Sequence, residues 1–107
     1  MYEPIRTVKR YLEKRKIHVF RLWGKISKNN KIIIDQVIQI EEMQLNRTKK
    51  ILHGVEQLCL SFDIQVPMWF DKNKKDMKYF SRTSFHKDQF IEHISFDSFD
   101  IEVIEED

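Results

Sequence analysis

The residues of this chain that can do covalent or metal chemistry are four histidines, one cysteine, six serines and a scatter of carboxylates. His18, His53, His86 and His93 are too far apart for a short zinc-binding spacing, and one cysteine supplies no thiolate pair. Cys59 sits between Leu58 and Phe62 on an apolar stripe, so it reads as buried and inert rather than as a nucleophile. No G-x-S-x-G surrounds Ser27, Ser61, Ser81, Ser84, Ser95 or Ser98. With glycines only at Gly24 and Gly54, the chain has no Gly-rich phosphate loop. Asp97, Asp100 and Glu102 alternate with apolar residues, which makes them the wet side of a strand. The chain therefore reads as a non-enzyme without metal or cofactor.

Binding chemistry is better represented. Arg47, Lys49 and Lys50 stand in the first turn of a predicted helix, where the macrodipole disfavours cations, and His53 follows one turn on. Free backbone N–H groups beside several cations suit a phosphate or carboxylate. Trp23 and Trp69 fall on the faces of their predicted strands that point away from the core. With Arg21 and Lys25 beside Trp23, they read as a surface for a protein partner or for self-association. Cations near aromatics also recur in the N-terminal segment, around Trp23, and in Lys72, Lys74, Lys75 and Lys78. That mixture suits single-stranded nucleic acid, although no RRM, KH or helix-turn-helix signature accompanies it.

The element that must carry these residues is the stretch from Asn46 to Asp63. Ile51, Leu52, Val55, Leu58, Cys59 and Phe62 recur at the spacing of one helical face. Asn46 or Thr48 can cap its start, and Ile64-Gln65-Val66-Pro67 ends it. Ahead of it, residues 18–27 and 32–40 alternate about a Lys28-Asn29-Asn30-Lys31 turn, a β-hairpin. Phe20, Leu22, Gly24 and Ile26 share one side of the first strand. Ile32, Ile34, Ile38 and Ile40 share one side of the second. Residues 65–70 read as a short strand, 73–80 as a helical turn capped by Asp71, and 88–93 as another turn presenting Phe90 and Ile91. Residues 82–86 are irregular or briefly extended. Residues 96–105 form the last strand, with Phe99, Ile101 and Val103 inward. The N-terminal residues 4–16 form a short basic helix with Ile5, Val8 and Leu12 on its apolar stripe. The prediction is an α+β domain over residues 18–107, a mainly antiparallel sheet packed on one central helix, with residues 1–17 as a basic appendage.

Composition agrees. At 107 residues the chain is one domain with room for a core. It holds no apolar run long enough to span a membrane, and MYEPIRTVKR, without an apolar segment or a small-residue cleavage site, is not expected to act as a secretory signal. A single cysteine points to a reducing, cytoplasmic setting. The net charge of +2 hides +8 over residues 1–31, +1 over 32–91 and −7 over 92–107. The terminal acids alternate with apolar residues, so they are expected to pair with cations inside the fold rather than form a free tail.

Five stretches carry a family likeness: LWGKI (22–26), RTKKIL (47–52), LCLSFDIQVPMWFD (58–71), RTSF (82–85) and FIEHISFDSFDIEVIEED (90–107). Over residues 22–106 the chain resembles a family of small uncharacterised bacterial proteins. The resemblance implies a compact cytoplasmic domain and implies no chemistry. Residues 1–17 fall outside it.

Overall fold

The computed structural model describes residues 19–41 and 44–106, so the expected basic helix, His18 and Glu42 lie outside the described residues. Strands β1 (Phe20–Lys28) and β2 (Lys31–Ile40) form the hairpin. Its turn is Asn29-Asn30, with φ of 54° and 64°. Two consecutive left-handed residues twist the same way as the strands they join, and asparagine tolerates that conformation at low cost. The Asn29 N–H donates to Asp97 Oδ2 at 2.8 Å, tying the turn to the chain before the last strand.

Helix α1 (Arg47–Phe62) follows, then α2 (Asp71–Phe80), β3 (Arg82–Phe85), a 3-10 turn at Lys87–Gln89 and β4 (Ser98–Glu106). The four strands form one antiparallel sheet in the order β2-β1-β4-β3. The α+β expectation of a hairpin, two further strands and a central helix thus holds. The third strand is not the expected one. Residues 65–70 carry no regular structure, and β3 takes the place assigned to them. The reason is local: Met68 spends its N–H on the Gln89 carbonyl at 2.7 Å and its carbonyl on Gln89 Nε2 at 3.0 Å. A backbone held by one side chain and one loop does not enter a ladder. The predicted turn at 88–93 shrinks to the 3-10 segment; Phe90 is buried but Ile91 is 80% exposed.

Helix α1 begins where expected. Asn46 Oδ1 accepts the Lys49 N–H at 2.9 Å. It stops at Asp63, which turns left-handed (φ 56°), while Ile64 N–H closes on the Cys59 carbonyl at 2.9 Å. That C-cap ends the helix four residues before Pro67, so the proline is not the stop signal. The buried stripe is Ile51, Gly54, Val55, Leu58 and Cys59. Leu52, expected in it, is exposed, and Phe62 is half-buried, edge-on to Phe99 at 6.1 Å.

Two glycines set how closely α1 lies on the sheet. A Cβ at Gly24 on β1 would stand 2.6 Å from a Leu58 methyl, and a Cβ at Gly54 on α1 would stand 2.7 Å from a Leu22 methyl. Each glycine thus receives the leucine of the facing element, and both leucines are fully buried. Gly24→Ala and Gly54→Ala should each cost about 1–3 kcal/mol by overpacking, although alanine is favoured over glycine in a helix by about 1 kcal/mol. Urea unfolding measures this. A stabilised Gly54→Ala chain would show that the helix does not need the close approach.

Candidate interaction surface

The helix start that suggested an anion site is occupied by intramolecular bonds. Arg47 Nε meets Glu106 Oε2 at 2.7 Å, Nη1 donates to the Met77 carbonyl at 3.3 Å, and Nη2 donates to Ser81 Oγ at 3.0 Å. One guanidinium therefore fastens the start of α1 to the end of α2 and the end of β4, a task the planar fork performs and an ammonium does not. Lys50 lies over the Phe20 ring at 5.9 Å. Lys49 and His53 are exposed. The four residues share a helix end, but the most basic of them is committed to the fold.

The sheet face away from α1 carries the second expected group. Arg21 pairs with Glu105 at 3.2 Å and donates to Gln39 Oε1 at 3.1 Å. Trp23 donates its Nε1–H to Asp35 Oδ2 at 2.8 Å. Lys25 Nζ stands 3.9 Å from the Trp23 ring centroid and 3.9 Å from Glu102. Glu102, Glu105 and Glu106 of β4 thus pair with cations of β1 and α1, as the charge pattern predicts. Trp23 lies on this face half-buried under its neighbours.

Trp69 does not join it. Its ring packs edge-on against Phe85 at 5.1 Å, and Phe85 lies across from Phe99 on the covered side of the sheet. The expected outward orientation rested on a strand at 65–70 that does not form. Its Nε1 is buried and meets no hydrogen-bond partner among the described residues. The two tryptophans therefore stand on opposite faces.

A polar cluster that the sequence reading missed lies beside Trp69. Buried Asn73 accepts the Phe70 N–H (2.9 Å) and Gln89 Nε2 (2.7 Å), and donates to Thr83 Oγ1 (2.8 Å) and the Ser84 carbonyl (3.0 Å). Thr83 donates on to Asp76 Oδ2 at 2.8 Å, which also receives Lys72 at 3.0 Å. Both lone pairs and both protons of the Asn73 amide, and both protons of the Gln89 amide, have partners, so the cluster fixes α2 against β3 and the loops rather than awaiting a ligand. The signal was Asn73, three residues after Phe70, the spacing of a residue that reaches back to cap its own helix. The adjoining recess mixes Lys25, Lys72 and Arg82 with Asp76, Asp100 and Glu102, giving no field of one sign. Cys59 is buried, and burial, with Glu56 nearby, pushes its thiol up to about 12. Among the described residues no three His, Cys, Asp or Glu side chains converge as metal ligands.

Strand β2 is the surface that stands out. It has β1 on one side and, among the described residues, no strand on the other. Ile32, Ile33, Ile34 and Val37 are 54, 58, 46 and 44% exposed. The expected inward face of Ile32, Ile34, Ile38 and Ile40 is therefore covered only at its far end, where Ile40 is buried and Ile38 half-buried. The cause is the length of α1: Ser61 bonds Gln36 and the helix ends one residue later. A register shift between Ile26 and Ser27 also pairs Ile32 with Ser27, so Ile32 leaves the regular alternation. The signal for this surface was Ile32-Ile33-Ile34, three consecutive isoleucines where a half-buried strand alternates.

Compared with family models, curated proteins and solved structures, the chain matches none. Among the described residues no helix is long and apolar enough to cross a membrane.

Two predictions follow from these bonds. Arg47→Ala should lower stability by about 1–2 kcal/mol, since one partly exposed ion pair and two further hydrogen bonds go. Arg47→Lys should recover only part of that and Lys49→Ala should change little, as thermal melts would report; equal effects at 47 and 49 would deny Arg47 its tie. Hydrogen bonds from Lys72 and Thr83 hold the Asp76 carboxyl below the usual carboxylate range. Its contribution is complete above about pH 4 and is lost as pH falls through the lowered folded value. Asp76→Asn should therefore lie below the parent chain at neutral pH and converge with it in acid. A gap that persists unchanged into strong acid would show that the ionised carboxylate is not what matters.

Proposed function

We propose that this chain is a non-enzymatic protein-interaction domain of the cytoplasm that takes an extended segment of a protein partner, or of itself, along the free edge of β2. The observation that carries the reading is the ten-residue edge strand whose outer half is bare isoleucine. Backbone N–H and C=O groups along such an edge bind a strand of almost any sequence, while flanking side chains select among candidates. Natural edges are usually blunted by brevity, proline or charge. The opposite edge, β3, is four residues long and has α2 beside it. β2 is long, has no proline, and carries one Lys and one Asp among six apolar residues. The buried free cysteine accords with a reducing compartment, and the resemblance to small bacterial proteins adds no activity.

Binding of nucleic acid or another anion has weaker support. Arg47 is engaged with Glu106, and Arg21 and Lys25 are engaged with Glu105 and Glu102, so these cations are already neutralised.

Photo-crosslinking tests the reading. A photoreactive residue at position 33 should trap a protein in native extract, and Lys at position 34 should abolish the product. The same group at Tyr79, exposed on α2, should trap little. Equal yields from both positions, or none from 33, would contradict the reading.

A further inference from the structure

We infer that the strand received by β2 is the β2 of a second copy, paired antiparallel about a two-fold axis at Gln36, so that two four-stranded sheets join into one of eight strands. This rests on the edge-binding reading above and names its partner.

The two halves of β2 are complementary to each other. On the α1 side of the strand, Ile32 and Ile34 near the turn are bare, whereas Ile38 and Ile40 nearer α1 are half-buried and buried. An antiparallel two-fold joint sets the bare half of each copy beside the covered half of the other. With Gln36 on the axis, Ile34 stands opposite Ile38 of the second copy, at the margin of the core roofed by the second copy's α1. The hairpin register is regular from Ile34 to Ile40, so this segment offers an unbroken ladder.

Charge selects the register. With Gln36 central, residues 34–38 pair regularly, and beyond the irregularity at Ile33 Lys31 of each copy comes beside Glu41 of the other, giving an opposite-charge pair at both ends. Moving the axis to Ile34 would set Lys31 against Val37. Moving it to Asp35 would oppose two like carboxylates. An axis normal to the sheet also leaves both α1 helices on one face and both Trp23 faces on the other, so neither layer is obstructed. The interface is isologous, as closed dimers require.

A joint of one strand pair is smaller than the about 1,600 Å² of a standard interface, so micromolar association is expected. Sedimentation velocity of the full chain over a concentration series should show a monomer–dimer equilibrium in that range. Lys31→Glu and Glu41→Lys should each weaken it by about tenfold, and the double swap Lys31→Glu/Glu41→Lys should restore it. Ile34→Lys should abolish the dimer while far-UV circular dichroism stays unchanged. A chain that remains monomeric at every concentration overturns the proposal, and so does a dimer indifferent to these variants. A monomer that still yields crosslinks from position 33 to another protein would sink the self-pairing alone and leave the edge-binding reading in place.

Discussion

The seam between α1 and β1 is the contact on which the rest of the structure depends. Gly24 admits Leu58 and Gly54 admits Leu22, so each element supplies one knob and one gap. Both leucines are fully excluded from water, as are Phe20, Val55, Phe85 and Phe99 around them. Protein interiors are packed too tightly for a buried methyl to step aside at no cost, so this interlock fixes the height and direction of the helix together. Once α1 is placed, Arg47 at its start can reach Ser81 and Glu106, and Phe62 at its end can meet Phe99.

The same placement decides what is left uncovered. The helix crosses Ile40 near Gly54, reaches Gln36 at Ser61 and stops, so the isoleucines nearer the hairpin turn have no roof. On the neighbouring strands the equivalent end is covered from elsewhere: Phe90, Ile94 and Phe96 are buried, and Asp97 N–H bonds the Ser27 carbonyl at 2.9 Å. That loop covers the end of β1 and β4 but leaves β2 bare. The bare face of β2 is thus a consequence of a helix too short for its sheet and a loop that completes the other half. Extending the core across a second copy would satisfy the same isoleucines without new architecture.

Periodicity made the central helix, the hairpin and the last strand legible in the sequence, because each buries one face and alternates at its own period. Asn29-Asn30 located the turn through backbone sterics alone. The loops were less legible. Residues 65–70 have the apolar content of a strand, but the backbone bonds of Met68 go to Gln89, 21 positions away, whose role no local pattern announces, and the Phe70 N–H goes to Asn73. Trp69 therefore lies on the face opposite to the one its strand alternation predicts. The cationic helix start was visible as an anomaly, and its explanation is tertiary: Glu106 and Ser81 arrive from distant parts of the chain. For β2 the composition was plain but the exposure was not, since it depends on where α1 ends relative to the strand beneath it.

Among the described residues β2 presents an unpaired edge, which the proposed second strand fills. Backbone amide hydrogen exchange along Lys31–Ile40 reads that edge most directly, because every second N–H of an edge strand points away from its sheet. In dilute solution, alternate amides of β2 should exchange rapidly while their neighbours, bonded to β1, stay protected; at high concentration the fast set should slow to match. Uniform protection of β2 in the dilute chain, or a fast set that never slows, would contradict the account.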